Sequence, residues 1–367
     1  MKRLALLPLL LLSTACPPGS VNQALDTACN ANGCISLSKF SANLDAALKN
    51  QTVGYVSTVG SLAIVSKSGK ARTAADAPSR DMDTDLPTNV ASLSKVITTI
   101  GVLQSLAAHN RSIGDKIAPF LPPDWTKGQN INTITFQELL THRAGFRETD
   151  NSYAGLKQQI ADGVLLSDKA TPLYDNTNFA IFRVLLPFME GFNDPGAATR
   201  DAVTSAFYVN YIKQHVLTPV GVTGDCKAPA GTQKILSYPL PAGSTNGTDW
   251  GDWTSICGGG GWVMTVGDLY KIVLSLDSDN TLLTDVEKQQ MNTNCLGWDC
   301  SVQTQTDFVG KNGILKGGNN KVWLYTFFGI FKGTIPMVIV VNSDTPNGAN
   351  ITSVVVNAFQ NATVPHP

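Results

Sequence analysis

The chain has 367 residues, of which 43% are hydrophobic and 15% charged, with a formal net charge of -1. This is a globular composition with few surface charges, long enough for one large domain or two modest ones. With no strongly basic stretch after the extreme N-terminus, it argues against a nucleic-acid partner.

Lys2 and Arg3 open the chain with positive charge, and Leu4 to Leu12 is an apolar run too short to span a bilayer stably. Ser13-Thr14-Ala15 then leads into Cys16. Residues 1–15 read as an export signal, with Cys16 as the lipidated mature N-terminus that attaches the protein to a membrane. Ordinary cleavage after Ala15 is the alternative. Of seven cysteines, removing Cys16 leaves an even set, which in an exported protein reads as disulfides. Local pairing gives Cys29–Cys34, Cys226–Cys257 and Cys295–Cys300. The spacings do not suit a metal, and no metal or other cofactor is expected.

Residues 16–36 read as a tether, and residues 37–365 as the folded domain. Ser36 to Asn50 is expected to be a helix. Val53 to Val65 is β-branched, broken by Gly60, and followed by a turn at Lys67-Ser68-Gly69-Lys70, which reads as a hairpin. Residues 72–88 read as loop. Leu93, Val96, Ile97, Ile100, Leu103 and Ala107 share one face of a helix ending near Ala108. Thr135 to Glu138 has the pattern of a capping box. Residues 176–220 read as mostly helical, 221–261 as irregular, and Met264 to Leu276 as a helix. Strands are expected at Gly313 to Lys316, Val322 to Phe331 and Ile335 to Asn342, and a last helix at Ile351 to Gln360. The fold class is therefore α+β: an antiparallel sheet, from about 50–75 and 310–345, flanked by helices, with a mostly helical insertion over about 110–250.

Ser92-Leu93-Ser94-Lys95 places a serine and a lysine three apart, on one side of a helix. A lysine so placed takes the serine proton when burial or a nearby cation lowers its pKa. Ser36-Leu37-Ser38-Lys39 repeats the four letters, but it stands beside the tether with no strand before it. Ser92 follows a hairpin and opens the long apolar helix.

Asn89 to Val96 resembles the nucleophile segment of class C β-lactamases, D-alanyl-D-alanine peptidases and related esterases. The resemblance continues in order through Phe136 to Gly145, Leu173-Tyr174-Asp175-Asn176, Gly258 to Leu269, Lys316-Gly317-Gly318 and Val338 to Asn342, covering roughly residues 50–365. It implies a β-lactamase/transpeptidase-like fold and an acyl-enzyme on Ser92. Lys95 would accept or relay the serine proton. Tyr174 would be the base of the second step, helped by the charges of Lys95 and Lys316. Asn176 would orient Lys95 or the substrate amide. Lys316 and Gly318 would belong to the substrate-binding strand, with Lys316 drawing a substrate carboxylate. The backbone N–H groups of Ser92 and Asn319 would form the oxyanion hole. Asp175 in place of the usual serine, and Gly317 in place of a hydroxyl residue, weigh against potent β-lactamase activity more than against acyl transfer.

Simpler roles stand beside these. His142 reads as structural, Asp81 to Asp85 as a solvated acidic loop rather than a calcium site, and Gly258 to Gly261 as a tight turn. Outside the resemblance, Tyr174 would read as a core tyrosine and Lys316 as a strand end. The expected function is an exported, lipid-anchored serine hydrolase. Its substrate would be a small molecule or a peptidoglycan peptide: a D-alanyl peptide, a β-lactam or a small ester. The alternatives are a family VIII-type carboxylesterase and a non-catalytic penicillin-binding or sensor lipoprotein.

Overall fold

Apolar runs from the two ends of the chain meet in one sheet. The computed structural model describes residues 26–30, 33–71, 80–147, 150–242, 246–299, 308–331 and 333–365. The export segment, Cys16 and Cys300 lie outside the described residues, and with Cys300 the expected Cys295–Cys300 pair.

Strands β1 (Thr27–Asn30) and β2 (Gly33–Ser36) form a hairpin that the Cys29–Cys34 disulfide closes. Strand β11 (Thr363–Val364) pairs with β2. Part of the expected tether is therefore folded, because the disulfide joins residues directly opposite in register. Helix α1 (Leu37–Leu48) follows. Ser36 is its N-cap: the Oγ accepts the Lys39 N–H at 3.2 Å and donates to Asp26 at 2.9 Å. The first Ser-x-x-Lys copy is thus a helix start.

Strands β3 (Gly54–Val59) and β4 (Ser61–Ala71) turn at Gly60, not at Lys67 to Lys70, which continue β4. Gly60 takes the turn because its φ is +66°, a left-handed conformation that glycine adopts without strain. Strand β5 (Arg80–Asp81) pairs antiparallel with β4, and β6 (Thr88–Asn89) pairs with β7 (Val263–Met264). In the acidic loop, Asp81, Asp83 and Asp85 pair with Lys70, Lys67 and Arg80.

The helical part comprises α2 (Ser94–Ala108), α3 (Phe136–Leu140), α4 (Tyr153–Asp162), α5 (Thr177–Ala180), α6 (Phe182–Met189) and α7 (Arg200–Ile212). After a long irregular section closed by the Cys226–Cys257 disulfide come α8 (Val266–Ser278) and α9 (Asp285–Thr293). Strands β8 (Phe308–Lys316), β9 (Val322–Phe331) and β10 (Ile335–Val341), then helix α10 (Ile351–Gln360), complete the chain.

The main sheet runs β5-β4-β3-β10-β9-β8, antiparallel throughout. Every residue of β10 is buried. Met337, Ile339 and Val341 pack with Phe40, Phe331 and Phe359 under α1 and α10, while Val338 and Val340 join the larger core with α2 and α8. Cover on both faces explains why this strand reads as a continuous apolar run. Strand β8 lies at the edge of the sheet, facing the start of α2.

Candidate active site

The turn that carries Ser92 is held from several sides. Ala91 has φ +51°, uncommon for a residue with a side chain. Its N–H donates to Asn89 Oδ1 at 2.8 Å, and its carbonyl accepts Ser94 Oγ–H at 2.7 Å. Thr326 Oγ1 donates to the Val90 carbonyl at 2.9 Å. Gly313 of β8 passes directly over this turn. A Cβ there would lie 2.8 Å from the Val90 oxygen and 2.9 Å from Ala91 Cβ, so only glycine permits the approach.

One turn into the helix, Lys95 is fully buried. Its Nζ donates to Ser92 Oγ at 3.1 Å, to Asn176 Oδ1 at 2.7 Å and to the Gly259 carbonyl. Three acceptors use all three N–H bonds of an ammonium, which fixes its direction. Burial, reinforced by the charge of Lys311 and opposed by Tyr174, lowers its pKa below that of an ordinary lysine.

Tyr174 comes from the loop before α5. Its hydroxyl lies 2.5 Å from Ser92 Oγ, and Lys95 Nζ lies 4.9 Å from its ring centre. The residue is 52% exposed overall, with its polar end turned into the cluster. Burial of that end acts upward on the phenol, but the charges of Lys95 and Lys311, with the Ser92 hydrogen bond, outweigh it and lower the pKa. His142 (φ +57°) stacks on the Tyr174 ring at 4.4 Å, and its Nδ1 accepts the Asp175 N–H at 3.3 Å. Burial and the same two lysine charges push its pKa down to about 2, so its imidazole is neutral. Asp175, buried, accepts the Thr177 N–H at 2.7 Å, an Asx turn leading into α5 that a carboxylate makes well. That accounts for an aspartate at this position.

The second lysine of the site is Lys311, not Lys316. Lys311 is buried, with its Nζ 5.1 Å from the Tyr174 ring centre, whereas Lys316 is exposed at the end of β8. The strand starts at Phe308, earlier than expected, so Lys311-Asn312-Gly313 is the Lys-x-Gly triplet at the Ser92 turn. Burial acts downward on Lys311, but the charges of Asp299 and Tyr174 outweigh it and raise its pKa. Lys311 pairs with Asp299 Oδ1, and Asp299 Oδ2 accepts the Asn312 N–H at 2.9 Å. The Lys-x-Gly at 311–313 has one glycine fewer than Lys316-Gly317-Gly318, so local composition does not single it out. Nothing in the sequence marked Asp299.

Gly318 and Asn319 lie in the turn after β8. Ile314 and Leu315 of this strand line the cavity at Ser92. The Asn312 N–H and the Gly310 carbonyl both face Asp299, on the free edge of β8. Alternate residues present their backbone groups to the same edge. The Ile314 N–H therefore faces the free edge beside Ser92. Asn176, Trp253, Ile256 and Gly260 close this cavity of about 90 Å³. A wider one, about 560 Å³, lies on the other side of Tyr174 and is lined by His142, Arg143, Trp298 and Asp299.

A family model described as Beta-lactamase matches residues 48–363. A comparison with curated proteins finds no match. Among solved structures, the chain is similar to a D-stereospecific amidohydrolase from Streptomyces sp. at 16% identity, with a TM-score of 0.63 over 88% of this chain and 98% of that one. It is similar to a beta-lactamase/D-alanine carboxypeptidase from Pseudomonas syringae at 13% identity, with a TM-score of 0.65 over 90% and 99%. A class C beta-lactamase from Rhodobacter sphaeroides also shares 13% identity, with a TM-score of 0.64 over 87% and 99%. At these identities the likeness is one of fold.

Proposed function

We propose that this chain, which belongs to the Beta-lactamase family, is an exported serine hydrolase that cleaves an ester or amide through an acyl-Ser92 intermediate. The observation that carries this reading is the triangle in which Ser92 Oγ touches both Lys95 Nζ and the Tyr174 hydroxyl.

In the proposed reaction Ser92 Oγ attacks the substrate carbonyl and gives its proton to the Tyr174 phenolate, which Lys95 and Lys311 stabilise. The oxyanion accepts the N–H groups of Ser92 and Ile314. Collapse breaks the bond to the leaving group, which takes the proton from Tyr174. Water then attacks the acyl carbon, with Tyr174 again as base, and frees Ser92. Asn176 orients Lys95 through the hydrogen bond to its Oδ1. The amidohydrolase and carboxypeptidase named among the similar structures support acyl-transfer chemistry.

The disulfides Cys29–Cys34 and Cys226–Cys257 suit an oxidising compartment outside the cytosol. Lipidation at Cys16 and attachment to the cell envelope belong to the same proposal. Cys16→Ser should release the exported protein from membranes, and persistent membrane association would count against the anchor.

Steady-state assays with a short-chain ester and a D-alanyl peptide, run beside Ser92→Ala, test the function. Turnover of either substrate that vanishes in the variant supports the hydrolase. Undiminished turnover in Ser92→Ala removes the proposed nucleophile. A stable acyl-enzyme without turnover identifies a binding or sensor protein instead.

A further inference from the structure

We propose that Asp299 sets substrate specificity: by pairing with Lys311, it turns the site toward substrates with no carboxylate beside the scissile bond. The inference rests on Ser92 being the nucleophile and concerns which acyl donors reach it.

The usual attractor of such a carboxylate would be the strand lysine together with the residue after it. Here both are occupied. Lys311 Nζ is held by Asp299, and the other carboxylate oxygen is tied to the Asn312 N–H at 2.9 Å. The Asp299 N–H donates to the Gly310 carbonyl at 2.9 Å, so the acid is clipped to the strand edge at three points. Asn312 turns its side chain away, donating to Thr352 Oγ1 on α10 at 3.2 Å. Lys95 has three acceptors already. Asp299 lines the wider cavity beside Tyr174, as does Arg143, which is exposed and bonds the Ala170 carbonyl at 2.8 Å. A leaving group that enters beside Tyr174 therefore meets the Asp299 carboxylate next to the reacting bond, in place of an unpaired strand lysine. A repulsive element of this kind discriminates as effectively as an attractive one.

The test uses two N-acetylglycyl thioesters, one of mercaptoacetate and one of methyl mercaptoacetate, which differ only in the carboxylate. Attack by Ser92 breaks the C–S bond, and the released thiol is read with a disulfide dye. The wild-type kcat/KM should favour the neutral thioester by about tenfold or more, the scale of one poorly screened like-charge contact. Asp299→Asn keeps an acceptor for the Asn312 N–H and should erase or reverse the preference. A purely structural role would slow both substrates alike and leave the ratio unchanged. The wild-type ratio stands alone if that variant fails to fold.

Both thioesters are also run as competitors of fluorophosphonate labelling, which needs no turnover. Equal use of the two thioesters by the wild type, or a preference unchanged in Asp299→Asn, overturns the inference. So does a preference for the carboxylate, and its loss in Arg143→Ala would pass the role to Arg143. Wild-type protein that the fluorophosphonate does not label at Ser92 overturns the nucleophile reading, and this inference with it.

Discussion

Ser92 Oγ and the Tyr174 hydroxyl lie 2.5 Å apart although 82 positions separate the two residues. The fold brings them together by pinning each to a different support. Ser92 is locked at the head of α2 under Gly313, and Tyr174 is clamped from behind by the His142 ring and backbone. A hydroxyl pair this close, with Lys95 3.1 Å from the serine oxygen, is set up for proton transfer.

Lys95→Ala should therefore lower the rate of Ser92 acylation by about 10²- to 10⁴-fold. The fold should survive, because the change also removes the cost of burying an ammonium. Stopped-flow acylation with a chromogenic ester, beside thermal melting, checks both halves. Wild-type acylation in the variant would remove Lys95 from the mechanism.

Lys311→Met should displace the acid limb of the kcat/KM profile to higher pH. Tyr174 must be ionised to accept the serine proton, and Lys311 is one of the two cations that lower its pKa. Removing that cation raises the pKa, so activity near neutrality falls, by about tenfold for each pH unit of displacement, and returns under alkaline conditions. A limb that stays in place would mean that another group sets it.

His142→Gln should make the protein less sensitive to mild acid. The His142 pKa is pushed down to about 2 in the folded chain, against an ordinary value of 6.5. Below that ordinary value the unfolded chain takes up a proton that the folded chain refuses. Stability is therefore lost as pH falls, by at most about 1.4 kcal/mol per unit from this residue. Glutamine has no such proton to gain and keeps an acceptor for the Asp175 N–H. Urea unfolding between pH 6.5 and pH 4 should show a shallower slope in the variant; equal slopes would mean His142 protonates in the folded protein.

Gly313→Ala should cost about 1–3 kcal/mol, the usual range for overpacking. It should cost more in activity, because the added methyl meets the Val90 carbonyl and Ala91 beside the nucleophile. Denaturation midpoints and acylation rates measured together test this; a variant with wild-type values for both would show that β8 yields there easily.

Much of this was legible in the sequence because the signals were local. The α2 periodicity, the capping box at Thr135, and the β-branched strands around Val56 and Ile339 each carry their own explanation. Where the signal was weak, reading failed. Helix α9 buries only Met291, so it has no apolar stripe to find. Helix α4 is capped by Ser152, but the only large apolar residues it buries are Leu156 and Ile160. The register of β8 depends on how Gly313 sits against Val90 and Ala91, a long-range fit that no local pattern encodes. Local pattern therefore favours Lys316 over Lys311. Asp299 acquires meaning only once the edge of β8 is known to face it.

The central claim is a covalent acyl group on Ser92. Intact-mass measurement after brief exposure to an activated ester or a penicillin, followed by peptide mapping, tests it most directly. The expected result is a mass increase equal to one acyl group, located on the peptide that contains Ser92 and absent from Ser92→Ala. An adduct on any other residue, or one that persists in Ser92→Ala, would contradict it.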